Sequence, residues 1–192
     1  MLKTIVSLAA VGLVASVITG CGAAPEPKKE EPDFRCKQEG ALAPKWTCVP
    51  MVEGAYAGVG IAQKSSAGMG FMRRVALANG RSDLAQQIES QVKDKMETFT
   101  RSTGIGAGES VDKVATSVSK QVAKVNLKGS KAVDSWQAPS GALYLLVTVP
   151  EKAVNETAKE LVKTSFKNDQ ALWQQFQSKN ALESLDKEFP TD

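Results

Sequence analysis

Apolar residues arrive in two rhythms along this chain, one in unbroken or alternating runs and one with helical spacing. The first run, residues 5–18, is almost continuously apolar behind a single charge, Lys3, and closes on small residues before Cys21. Residues 55–63 (AYAGVGIAQ) are short and apolar between polar flanks, which predicts a buried strand. Gly58 and Gly60 inside it predict either a close backbone approach or a bulge. A helix capped by Ser65 or Ser66 follows, with Leu77, Leu84, Ala85, Ile88, Val92, Met96 and Phe99 on one face. Residues 100–110 (TRSTGIGAGES) read as a glycine-rich surface loop. A second helix over residues 109–121 presents Val111, Val114 and Val118, with Val122 next in phase. Residues 122–136 read as a long, partly exposed strand, and Ala138-Pro139-Ser140-Gly141 as a turn. The near-continuous apolar run of residues 142–149 (ALYLLVTV) suits a central strand.

Pro150 opens a further helix, where its missing N–H costs nothing. Val154, Ala158, Leu161 and Val162 form its face, and Leu172, Trp173 and Phe176 return in the same phase. Ser165 and Asp169 interrupt the stripe, so a kink or a fresh start is expected near Asn168. Leu182, Leu185 and Phe189 fall on the opposite side if the helix continues. Either the chain breaks near Asn180, where Asn180-x-x-Glu183 can form a capping box, or the tail is two-faced and offers a stripe to a neighbouring subunit.

The leading run has the layout of a secretory signal, too short and wrongly flanked for a spanning helix. Its last residues, Ile18-Thr19-Gly20-Cys21, resemble the bacterial lipobox. That resemblance implies that residues 1–20 are removed and that Cys21 is acylated. An ordinary signal peptide with an incidental cysteine is the competing reading. The lipobox is favoured because Cys21 follows Gly20 directly and a polar stretch begins at once. Stable anchoring needs more than one acyl chain, and bacterial lipoproteins usually carry three. Gly22 stands where an aspartate would by habit hold such a protein at the inner membrane, which points to the outer membrane. Residues 22–33 (GAAPEPKKEEPD) have the composition of an extended, disordered spacer.

Composition narrows the rest. Residues 1–20 are read as signal peptide, 21–34 as acylated cysteine and linker, 35–54 as a cysteine loop, and 55–192 as one α+β domain. Lys3 is the only charge before Cys21, so 23 of the 24 basic side chains face 21 acidic ones in the remainder. That balance steers nothing strongly and gives no reason to expect a nucleic-acid partner. Aromatics make up 6% of the chain, too few for a base-stacking platform. Cys36 and Cys48, spaced C-x11-C, are too far apart for a redox pair and have no histidine to complete a zinc site, so a structural disulfide is expected. Trp46 is its expected plug into the domain.

No histidine occurs anywhere, which removes Ser-His-Asp and Cys-His nucleophile systems and H-E-x-x-H metal sites together. The carboxylates are scattered, so no enzyme, cofactor or metal is expected. Neither Gly58-x-Gly60 nor the Gly104-x-Gly106-x-Gly108 run completes a dinucleotide fingerprint. Arg74 and Arg81 share the small-residue half of the long helix. Their stems can pack along the sheet while the guanidinium groups cap carbonyls or meet a carboxylate; the alternative is contact with a ligand or partner anion.

The segments AYAGVGIAQ, ALANGRSDLAQQI and DSWQAPSGALYLLVTVP resemble the LPP-type twenty-kilodalton lipoprotein family of bacterial outer membranes. The resemblance covers about two thirds of the chain. It implies a short strand, a long helix with alanine and arginine, a strand pair and a closing helix. It implies no catalytic signature, and it includes a flagellar branch whose members form scaffolds that support motility. The expected protein is thus an α+β fold with a small antiparallel sheet of about three strands, packed by a long helix and C-terminal helices. It is held by Cys21 on the periplasmic face of the outer membrane and works by contact with envelope proteins or with itself. A small-ligand-binding module using Arg74 and Arg81 is the second expectation.

Overall fold

The computed structural model describes residues 35–106, 109–178 and 181–191. The leader, Cys21, the spacer and Asn180 of the expected capping box lie outside the described residues. Among the described residues two antiparallel sheets and five helices make a mixed α+β fold, as the rhythm predicts. A hairpin of β1 (Lys37–Gln38) and β2 (Ala41–Leu42) leads through a 3-10 turn (Lys45–Thr47) to β3 (Ala55–Ala62). Then come α1 (Met69–Thr103), α2 (Glu109–Leu127), β4 (Lys131–Gln137), β5 (Leu143–Pro150), α3 (Glu151–Lys167), α4 (Gln170–Ser178) and α5 (Ala181–Glu188).

The larger sheet runs β3-β5-β4, so the apolar strand β5 is central, as its unbroken run requires. Its register pairs Gly58 with Val147 and Gly60 with Leu145 without interruption, so β3 carries no bulge. The two glycines instead admit α1. A Cβ on Gly60 would overlap the Ala76 carbonyl and the Gly80 amide, and one on Gly80 would lie 2.6 Å from Val147 Cγ2. Helix and strand therefore meet backbone to backbone.

This contact explains where the α1 stripe departs from expectation. The buried positions are Met72, Ala76, Gly80, Leu84, Ile88, Val92, Met96 and Phe99, whereas Leu77 and Ala85 are only partly buried. Small residues mark the face here because the strand leaves no room for large ones. The helix begins after Gly68 (φ 84°), not at a serine cap; Ser65 Oγ accepts the Ala67 N–H at 3.2 Å in the turn before it. It also runs past Phe99 to Thr103 and stops at Gly104 in the left-handed conformation. The expected surface loop is shortened accordingly, and Ile105 within it is fully buried.

The expected strand over residues 122–136 is half helix. Val122, Ala123 and Asn126 continue the buried face of Val111, Ala115, Val118 and Ser119, so α2 persists to Leu127. Lys128, Gly129 and Ser130 make the turn, and β4 starts at Lys131. The C-terminal break falls as expected, with α3 ending at Lys167. The Asp169 carboxylate then accepts the N–H groups of Ala171 and Leu172 to start α4.

The two-faced tail is not what forms. Leu172, Phe176, Ala181, Leu185 and Phe189 all enter the main core, where Phe99, Phe166 and Phe176 cluster with ring centroids 5.8–6.3 Å apart. Asn155 Nδ2 donates to the Pro190 carbonyl at 2.8 Å, and Lys159 pairs with Asp186 at 2.9 Å, lashing the tail down. Most of the C-terminal apolar surplus lies inside the protein, although Leu182 of the expected stripe is 47% exposed.

Candidate functional site

The two flanks of α1 treat the two edges of the sheet differently. Asn79 and Asp83, one helical turn apart, lie over the β3 edge. Asn79 Nδ2 donates to the Ile61 carbonyl at 2.7 Å, and the Val59 N–H donates to Asp83 Oδ2 at 2.9 Å. Those backbone groups would otherwise be open to another chain, so α1 closes this edge.

The opposite flank carries Arg73, Leu77 and Arg81 and faces the β4 side. Arg81 is half-buried, and its Nε donates to Ser130 Oγ at 3.0 Å, at the entrance to β4. Ser130 Oγ in turn donates to the Leu127 carbonyl at 2.7 Å, so the arginine joins α1 to the end of α2. Arg74, seven residues earlier, is exposed. The two arginines singled out by sequence do not converge on one cavity.

Strand β4 is exposed at nearly every residue, and no other described strand pairs with its outer edge. Its register with β5 shifts between Ala132 and Asp134. The extra residue at this bulge is Val133, 55% exposed and held out of the ladder. Beside it lies an open cleft of about 320 Å³ lined by Arg73, Ala132, Val133, Asp134, Ser135 and Leu145. Asp134 is fixed on both oxygens: Oδ1 accepts the Ser135 N–H at 2.7 Å and Oδ2 accepts Trp46 Nε1 at 2.7 Å. An apolar knob, a guanidinium and an oriented carboxylate thus share one edge. Arg73 is masked in the sequence pattern because its neighbour Arg74 falls in better phase with Arg81, and Val133 because a bulge leaves no periodic mark.

The cysteine loop rests on the other face of the sheet. A disulfide joins Cys36 and Cys48, and Gln38 Nε2 donates to the Thr47 carbonyl at 3.3 Å. Glu39 and Gly40 turn the hairpin with positive φ (53° and 76°). The Glu39 carboxylate accepts the Ser140 N–H at 3.0 Å and the Ser140 hydroxyl at 2.8 Å, pinning the hairpin to the β4–β5 turn. Trp46 packs with Val59, Trp136 and Tyr144 as the expected plug, and Trp136 meets Tyr144 edge-on at 5.2 Å across the strands.

Among the described residues one buried side-chain polar atom has no hydrogen-bond partner, the hydroxyl of Tyr56. Burial, helped by the charge of Glu151, raises its pKa from 10.0 to about 12, so the phenol stays neutral. Among the described residues no group of three or more metal-binding side chains comes together, and no helix is long and apolar enough to cross a membrane.

No curated protein matches this chain. The LPP20 lipoprotein family matches residues 44–150, from the end of the cysteine loop through β5, and so spans the sheet, α1, α2 and the β4 cleft. The match covers more than half of the chain, and it contains the helix-on-strand contact around which the fold is built. The chain therefore belongs to the LPP20 lipoprotein family and is a lipoprotein of the envelope.

Proposed function

We propose that the protein is an outer-membrane lipoprotein, acylated at Cys21, that works without catalysis by contact with another envelope protein or a second copy of itself. The observation that carries this reading is the contrast between the sheet edges. Asn79 and Asp83 close β3, whereas the bulge in β4 projects Val133 beside the Arg73 cleft. Bulges that re-aim a side chain at a sheet edge serve contact better than ladder extension, because the twist and the Asp134–Ser135 bond oppose a continuous added strand. A partner would therefore dock by side chains, with an apolar group on Val133 and an acidic group on Arg73. An oligomeric scaffold is one form of this contact. Leu185 and Phe189 of the tail are buried and leave only Leu182 of its apolar stripe outside, so self-association would use the same β4 edge.

The test is photocrosslinking in living cells from a benzophenone amino acid at Val133. A discrete product with one envelope protein or with a second copy is expected. The same probe at Ile61, exposed on the closed edge, should give none. No product at Val133, or equal products at both positions, refutes the reading.

A further inference from the structure

The cysteine loop carries a surface that the β4 cleft does not use. Leu42, Val49, Met51 and Val52 are exposed at 55%, 48%, 80% and 37%, four large apolar side chains within residues 42–52; elsewhere Ile61, Met69, Phe71, Val125, Val133 and Leu182 are exposed as well. They are held outward by the disulfide, the hairpin turn and the Glu39–Ser140 bonds. They are also contiguous. One hollow is lined by Arg35, Leu42 and Lys45, the next by Lys45, Trp46, Val49 and Met51, and a third by Met51, Val52 and Glu53 with parts of β3 and α1. Lys45 links the first two and Met51 the last two, which makes one strip. Basic groups fringe it at Arg35 and Lys45, Glu39 is turned back onto Ser140, and Glu53 stands at the far end beside Val52.

Flexible apolar tips with cationic heads at their margin suit the boundary between acyl chains and phosphate headgroups. The covalent layout supplies the occupant. Thirteen residues, 22–34, separate Cys21 from Arg35, a reach of at most about 50 Å when extended. The strip is therefore the first described surface after Cys21 along the chain, and the tether keeps a bilayer at high effective concentration beside it. We infer that the cysteine loop docks on the bilayer that holds the acyl anchor, with Leu42 and Met51 entering the interface and Lys45 meeting phosphates. This rests on acylation of Cys21 and adds a second, non-covalent point of attachment that would set the orientation of the domain.

The test uses the full acylated protein in vesicles of phosphatidylethanolamine and phosphatidylglycerol, with a benzophenone amino acid at Met51. Illumination should attach lipid at that position, with a yield on the order of tenfold above the same probe at Val125, which is 50% exposed on α2. Acylated Cys21 with no lipid captured at position 51 would overturn the docking alone. Absence of acyl mass on Cys21 would overturn the anchor and the docking with it. In cells, capture of a protein instead of lipid at position 51 would show that the strip serves a partner and would refute the inference.

Discussion

Replacing Gly60 with alanine tests the contact on which the fold depends. The added Cβ would overlap the Ala76 carbonyl and the Gly80 amide, both backbone atoms of α1. No rotamer can relieve a backbone overlap, so α1 must lift from the sheet. Lifting it also stretches the Asn79–Ile61 and Asp83–Val59 bonds that close the β3 edge. Gly58→Ala is the graded comparison, because its Cβ would sit 2.9 Å from the Gly80 carbonyl oxygen and the Leu84 nitrogen, backbone atoms that must also shift but by less than at Gly60. Overpacking typically costs about 1–3 kcal/mol and occasionally more. Loss of glycine's freedom in the unfolded chain returns about 0.4–1 kcal/mol. Gly58→Ala should thus lose about 1 kcal/mol, and Gly60→Ala about 3 kcal/mol or more. For a domain of this size the latter lowers Tm by about 10 °C. Urea and thermal denaturation followed by circular dichroism, with the disulfide oxidised, measure both. A Gly60→Ala protein as stable as Gly58→Ala would refute the helix-on-strand reasoning.

Two further perturbations read other parts of the structure. Tyr56→Phe removes a buried hydroxyl that has no partner, so the variant should be as stable as the parent or up to about 1–2 kcal/mol more stable at neutral pH. The raised pKa of Tyr56 means its neutral form belongs to the fold; this contribution is intact below pH 10 and lost as pH rises through about 12. The gap between parent and Phe variant should therefore widen across that window in urea titrations, and a constant gap would contradict the assignment. Reducing the disulfide between Cys36 and Cys48 should cost about 3 kcal/mol in the chain-entropy model. The far-ultraviolet spectrum at room temperature should be unchanged, because the main core begins at Tyr56, beyond the loop; unfolding on reduction would contradict this.

Much of the architecture was legible because burial imposed a period. The run at residues 142–149 announced β5, and Ile88, Val92, Met96 and Phe99 announced the second half of α1. The first half was misphased because Ala76 and Gly80 carry the contact while contributing almost no hydrophobic signal. Val122 and Val125 suggested a strand through their β-branching, yet Val122 kept helical phase with Val118 and packed accordingly, and tertiary burial outweighed propensity. The β4 cleft left no trace in the sequence. Arg73, Val133 and Asp134 are brought together by a register shift and a helix flank, and neither has a period. Arg81 was visible as an interruption in an apolar stripe; its Nε donates to the Ser130 hydroxyl, not to the carbonyl or carboxylate expected for it.

In the proposed function the protein acts by contact while tethered at Cys21. Its most direct test is the benzophenone probe at Val133, compared between the parent protein and Cys21→Ser in fractionated cells. One discrete crosslinked product is expected in the membrane fraction of the parent, with loss of both membrane retention and product in Cys21→Ser. Retention of Cys21→Ser in the membrane fraction, or a parent protein that captures nothing from Val133, would contradict it.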